Sequence, residues 1–346
     1  MPVPLSTLSR LAASRRAVLL SGLALAACVA QDAPPGPRTA DSRVETDVFV
    51  MSDGARLPYR AWLPDGMLRS GERDDVHAVV LALHGFNDSR DSWELAAPMF
   101  ADAGIAFYGP DQRGFGGAPG RGLWPGADAL ADDAAEMAGV LRARHPGTRL
   151  VLMGESMGGA VLMHLAANRA APPGASYVLL APAVWGRARM NILLRSGLFI
   201  ISRVAPGLQV TRAPAGVRVI PTDNNEALRR MSRNPLTILG TRFDTLRGLV
   251  DLMDLALDAA PRLSAPSLFL YGAKDDLVPP EATTATWRNL SGPVRRAFYP
   301  RGYHLLFRDL ARAVPITDTI NWILRPGAPL PSAAEQAAEA WLTARA

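Results

Sequence analysis

The sequence predicts an α/β fold: a mostly parallel central sheet with helices on both faces and an inserted helical cap. Three observations predict it. Short apolar runs alternate with segments of helical spacing along most of the 346 residues, and such alternation builds a parallel sheet covered on both sides. The run over 76–83 is apolar almost throughout, as a strand buried on both faces should be. The alternation stops between residues 184 and 263 and then resumes, so that stretch reads as an insertion rather than a second domain.

Residues 1–27 are expected to be a leader rather than part of the fold. Arg15 and Arg16 precede an apolar run, 17–27, of signal-peptide length and too short to span a bilayer. Residues 14–19 resemble a twin-arginine export signal, with Val18 where phenylalanine or leucine is usual. The run closes on Leu25-Ala26-Ala27-Cys28, which is similar to a bacterial lipobox. Small residues there admit the peptidase, and the thiol is the acyl acceptor. Cys28 is the chain's single cysteine, so no internal disulfide can use it. The expectation is lipidation at Cys28, anchoring the protein in a bacterial envelope at the outer membrane or periplasmic face. Residues 28–43 are expected to be a tether, flexible from Gln31 to Asp41 where proline and polar residues dominate.

The body follows as 44–183 and 264–326. Residues 44–50 and 55–63 alternate around Ser52-Asp53-Gly54 as an edge hairpin. Strands are expected at 76–83, 105–108, 150–153, 177–180, 267–271 and 294–299. Helices are expected at 92–103, 127–144, 158–168, 281–290 and 316–324. The cap, 184–263, shows no strand alternation; 190–204 is strongly apolar but broken by Arg195 and Arg203, and 237–257 looks helical. Its Leu193, Leu194, Leu198, Phe199 and Ile200 are expected to serve an acyl chain, a lipid surface or packing within the cap. Residues 327–346 form a C-terminal tail with helical character.

Composition excludes several functions. Once the leader and its three arginines are set aside, 34 basic residues face 32 acidic ones. A surplus of two, dispersed along the chain, argues against a nucleic-acid surface. With 49% hydrophobic residues, a sizeable core needs no metal or disulfide. The sequence shows no zinc spacing, internal repeat or cofactor motif, and oligomeric state is not legible.

Gly154-Glu155-Ser156-Met157-Gly158 matches G-x-S-x-G. Alone the match is weak, arising by chance in about one protein in ten of this length. Its setting is stronger: a strand leads in and a helix leads out, as a nucleophile elbow requires. A side chain at Gly154 or Gly158 would strike neighbouring backbone in so sharp a turn. A serine hydroxyl needs a base, and the base needs a group holding its tautomer. In this arrangement the chain order is serine, acid, histidine. After Ser156 come only His164 and His304. His164 lies on the elbow's own helix, two turns on, so the expected base is His304, in Gly302-Tyr303-His304 beyond the last strand. Asp275 and Asp276 follow the strand 267–271 at the sheet edge where such sites gather; chemistry alone does not choose between them. The oxyanion donors are expected to be the backbone N–H groups of Met157 and Phe86, with His84 bracing the latter's loop.

These segments resemble the monoacylglycerol lipase and lysophospholipase branch of the α/β hydrolases, also catalogued with serine aminopeptidases. His84-Gly85-Phe86, Asp111-Gln112-Arg113-Gly114-Phe115-Gly116, Gly154 to Gly159, and Gly272 to Pro279 with Tyr303-His304 carry it, in order. Phe115 stands where that branch has histidine. The resemblance implies an α/β-hydrolase fold, a helical cap, and Asp275 as the acid, three residues after Gly272. It implies ester hydrolysis by Ser156, Asp275 and His304, with a small-molecule or lipid ester as substrate and no cofactor. A serine peptidase or acyltransferase would use the same triad, and an idle envelope binding lipoprotein would keep the fold without the chemistry.

Overall fold

The computed structural model describes residues 30–65, 76–211 and 219–345; the expected leader and Cys28 lie outside the described residues. Strands Arg43–Glu45 (β1) and Val48–Val50 (β2) pair antiparallel across Asp47, whose φ is 58°. That turn splits the single strand expected over 44–50. Arg56–Trp62 (β3) follows, and then Ala78–Leu83 (β4), Ile105–Pro110 (β5), Arg149–Glu155 (β6) and Ser176–Leu180 (β7). Gln209–Val210 (β8) and Thr241–Arg242 (β9) form a small antiparallel pair inside the stretch expected to hold no strand. Ser267–Gly272 (β10) and Val294–Tyr299 (β11) complete the set. The main sheet runs β1-β2-β3-β5-β4-β6-β7-β10-β11, parallel from β5 to β11.

The period-two rule explains how one strand feeds two cores. Val79, Leu81 and Leu83 of β4 enter one cluster, while Ala78, Val80 and Ala82 enter the other. Helices Ala97–Asp102 (α1) and, after the other strands, Ala313–Leu324 cover the second cluster through Phe100 and Trp322. Ala127–Arg144 (α2) and Met157–Asn168 (α3) cover the first. The helix expected over 92–103 breaks into a 3-10 turn, Arg90–Trp93, and α1, with Pro98 in its first turn, where a missing N–H costs nothing.

The inserted stretch contains Ile192–Val204 (α4), Asn225–Arg233 (α5) and Phe243–Ala259 (α6). Helix α6 lies within the residues expected to be cap, yet its Leu249, Leu252 and Ala256 belong to the first core. A Cβ at Gly248 would fall 2.4 Å from the Trp124 ring, so α6 sits directly on the body. Pro280–Asn289 (α7), Ala313–Leu324 (α8) and Ala334–Thr343 (α9) finish the chain. The tail is not an appendage: Trp341 of α9 stacks on Phe298 with centroids 4.8 Å apart and meets the edge of Trp287 at 5.3 Å.

The expected flexible tether is corrected by the structure. Gln31 N–H donates to Asp244 (3.2 Å), Ala33 N–H to Trp124 O (3.0 Å), Gly36 N–H to Asp53 (3.0 Å) and Thr39 N–H to Ser52 O (2.7 Å). Proline-rich backbone is already extended, so laying it along the body as a strap satisfies its few donors with little further loss of freedom. Among the described residues no helix is long and apolar enough to cross a membrane.

Candidate active site

The turn from β6 into α3 places Ser156 at φ 52°, ψ −112°, a strained conformation for a residue with a side chain. Its surroundings hold it there. Ser156 N–H donates to Leu180 O at 2.9 Å, and its carbonyl accepts from Ala160 and Ala183. A Cβ at Gly154 would lie 2.4 Å from the Gly158 carbonyl, and one at Gly158 would lie 2.2 Å from Leu83 O. Both glycines are therefore required by backbone packed against backbone. Gly159 is a third such position, where a Cβ would meet Pro182 at 2.7 Å. Met157 opens α3, and the first N–H groups of a helix have no partner within it.

The loop after β4 reaches the same place. A Cβ on Gly85 would stand 3.6 Å from the Ser156 Cβ, an ordinary contact, so Gly85 leaves space beside the serine rather than relieving a clash. His84 is a brace: its Nε2 accepts from Gln112 N–H (3.1 Å), which directs the proton on Nδ1 to Gly85 O (2.8 Å). Phe115, in place of the branch's histidine, is buried with its ring 5.5 Å from Phe86 and 6.0 Å from His84. The neighbouring Asp111 accepts from the N–H groups of Arg90 and Gly117, so this loop is tied up in structure.

The two aspartates part company. Asp275 is buried; its Oδ1 accepts from Leu277 and Val278 N–H (2.8 and 2.9 Å), and its Oδ2 meets His304 Nδ1 at 2.8 Å. Asp276 is exposed and accepts from Ile220 N–H of the inserted segment. His304 is 2% exposed. Burial pushes its imidazole down, but Asp275, by charge and hydrogen bond, and then Glu155 outweigh burial and hold it above the ordinary histidine value. His164 points elsewhere, to Asp128 at 2.7 Å.

Several residues at the site had no signal in the sequence. Arg308, four residues past His304, bonds both Glu155, the neighbour of Ser156, and Asp88 of the loop after β4. The inserted segment is sewn to the histidine loop by Leu305 N–H to Pro221 O (2.9 Å), Asn224 Nδ2 to Arg308 O (2.9 Å) and Thr222 Oγ1 to Asp309 (2.6 Å). Such pairings span up to 220 residues of chain, beyond any local pattern.

A serine strained at a strand-to-helix turn, on a parallel sheet whose same edge carries a buried Asp–His pair, is the framework of the α/β hydrolases. The chain is a serine hydrolase on that fold. Over residues 74–311 it matches the family described as Serine aminopeptidase, S33, and it belongs to that family. Among curated relatives, the monoacylglycerol lipase of Mycolicibacterium smegmatis is 26% identical across 80% of this chain and 95% of its own. The human monoglyceride lipase is 23% identical across 76% and 84%. Two solved structures share the fold. The Paleococcus ferrophilus monoacylglycerol lipase superposes with TM-score 0.62 at 20% identity, covering 78% of this chain and 98% of its own. A soluble variant of Saccharomyces cerevisiae monoglyceride lipase gives 0.63 at 18%, covering 85% and 96%.

Proposed function

We propose that the chain hydrolyses monoacyl lipid esters, of the monoacylglycerol or lysophospholipid kind, through an acyl-enzyme on Ser156. His304 Nε2 takes the serine proton as Oγ attacks the ester carbonyl, and Asp275 holds the Nδ1 proton so that Nε2 is free to accept. The N–H groups of Phe86 and Met157 receive the developing oxyanion. The imidazolium then protonates the departing alcohol, and water, deprotonated by the same imidazole, releases the acid. The observation that carries the reading is the buried Asp275–His304 hydrogen bond on a loop that Arg308 ties to the serine turn.

The lipid substrate is supported by the lipases among the relatives and by α4. Leu193 is 79% exposed and Phe199 55%, which speaks against packing within the cap as the purpose of that apolar stretch. A cavity of about 590 Å³ between Met190, Leu198, Phe199, Arg187 and Arg247 adjoins the helix, large enough for an acyl chain. Lipidation at Cys28 would bring the body close to a membrane of the bacterial envelope, because only Val29 and Ala30 separate it from Gln31, where the strap begins. That span is at most about 10 Å.

Ser156→Ala is expected to lower ester turnover by about four to six orders of magnitude. A panel of monoacylglycerols, lysophospholipids and peptide amides, run on protein lacking residues 1–28, tests the substrate class. Faster turnover of the amides would transfer the site to peptide cleavage, and undiminished activity of Ser156→Ala would remove the mechanism. Mass spectrometry of the mature chain tests the anchor, which fails if the N-terminus is not an acylated Cys28.

A further inference from the structure

Beneath the site lies a charge cluster that the mechanism above does not use. The Arg308 guanidinium donates from Nη1 to Asp88 at 2.7 Å and from Nη2 to Glu155. The three side chains are 7%, 10% and 2% exposed. Each stands on a different segment: Asp88 on the loop two residues past the proposed oxyanion donor Phe86, Glu155 at the end of β6 beside Ser156, and Arg308 four residues past His304. Met231 of α5 also approaches the guanidinium, Sδ to Nη1 at 3.6 Å. Burying three charges costs more than filling the space with apolar side chains, so stability alone does not account for the cluster.

We propose that Arg308 and Glu155 are positioning residues for His304. The guanidinium holds the serine turn, the oxyanion loop and the histidine loop in one geometry, and two carboxylates around one cation leave a net negative charge near the imidazole. That charge favours the imidazolium formed when Ser156 gives up its proton. The inference rests on the hydrolase reading of Ser156 and His304.

The charged groups around His304 are consistent with it. Asp275 acts most strongly to favour the protonated ring, Glu155 acts in the same direction, and Arg308 opposes. Asp309, on the same loop, is occupied by Tyr303 N–H (2.9 Å) and Thr222. Burial pushes the Asp88 carboxyl up, but Arg308, by charge and hydrogen bond, outweighs it and holds it below the usual carboxylate range, so Asp88 is an anion in the cluster.

The test is kcat/KM for a soluble nitrophenyl ester from about pH 5 to pH 9, with fluorophosphonate labelling of Ser156 in parallel. The imidazole must be neutral to act as base, so activity falls as pH drops through its pKa. A raised value places that limb above the ordinary histidine range of about 6.5. Glu155→Gln keeps shape and an acceptor oxygen but removes one negative charge. It is expected to move the limb down by about half to one pH unit. Arg308→Lys keeps the charge and loses the two-armed fork; the limb should stay in place while kcat falls about ten-fold. A folded Glu155→Gln with the wild-type limb overturns the proposal, as does Arg308→Lys with wild-type kcat. Should Glu155→Gln not fold, Asp88→Asn removes the same charge from the other arm, and an unmoved limb there is equally fatal. Failure of the hydrolase reading is distinct: wild-type protein would leave Ser156 unlabelled.

Discussion

The rim of the sheet and the inserted segment differ in what surrounds a side chain. At the rim, His304 is 2% exposed and hydrogen-bonded to Asp275, and a methyl group on Gly158 would lie 2.2 Å from a carbonyl oxygen. On α4, Leu193, Phe199 and Ile200 are 79%, 55% and 57% exposed. Close packing makes each rim position intolerant of change, because a displaced atom has nowhere to go. An exposed apolar face carries little internal energy and is free to be shaped by what it touches. On the proposed function, catalytic geometry thus sits where the fold is over-determined, and substrate presentation sits where it is not.

The largest expected effect divides two neighbours at the rim. Asp275→Asn should lower kcat about 10⁴-fold while leaving the fold intact, because histidine would lose the acceptor that sets its tautomer. Asp276→Asn, at an exposed carboxylate, should change kcat by no more than about three-fold. Steady-state kinetics on the pair decides it, and equal losses would mean that the acid has been misassigned. Next comes the tail. Trp341→Ala should cost about 3–5 kcal/mol, read by denaturant unfolding; a change under about 1 kcal/mol would show α9 to be peripheral after all. The smallest effect on stability belongs to α4, where replacing Leu193 and Phe199 together by serine should change it by only about 0.5 kcal/mol. That variant should lose turnover of vesicle-presented monoacylglycerol but not of a soluble short-chain ester. A matching loss on both substrates would dissolve the contrast between rim and cap.

Much of the framework was legible because its causes are local. Strand β4 shows as an apolar run because both its faces are covered, and α2 spans the same residues in sequence and structure. Legibility failed where a distant contact intervened. Asp47 breaks an apparently continuous strand into β1 and β2. The proline-rich stretch from Gln31 reads as free chain, yet finds Trp124, Asp244 and Ser52 to bond. Helix α6 was grouped with the cap by position, but its apolar face packs on the first core.

From the residues alone follow the α/β class and the turn that carries Ser156, while the chain order of such sites is what points to His304. The elbow's glycines answer a steric demand made within a few residues, and only His164 and His304 were available after Ser156. Tertiary structure decided which aspartate faces the histidine without appeal to any relative, seated Arg308 between Glu155 and Asp88, and turned both termini of the body into packed parts of it. Those outcomes depend on side chains separated by as many as 220 positions. Charge and shape act across space, and a linear pattern records only what neighbours along the chain require of one another.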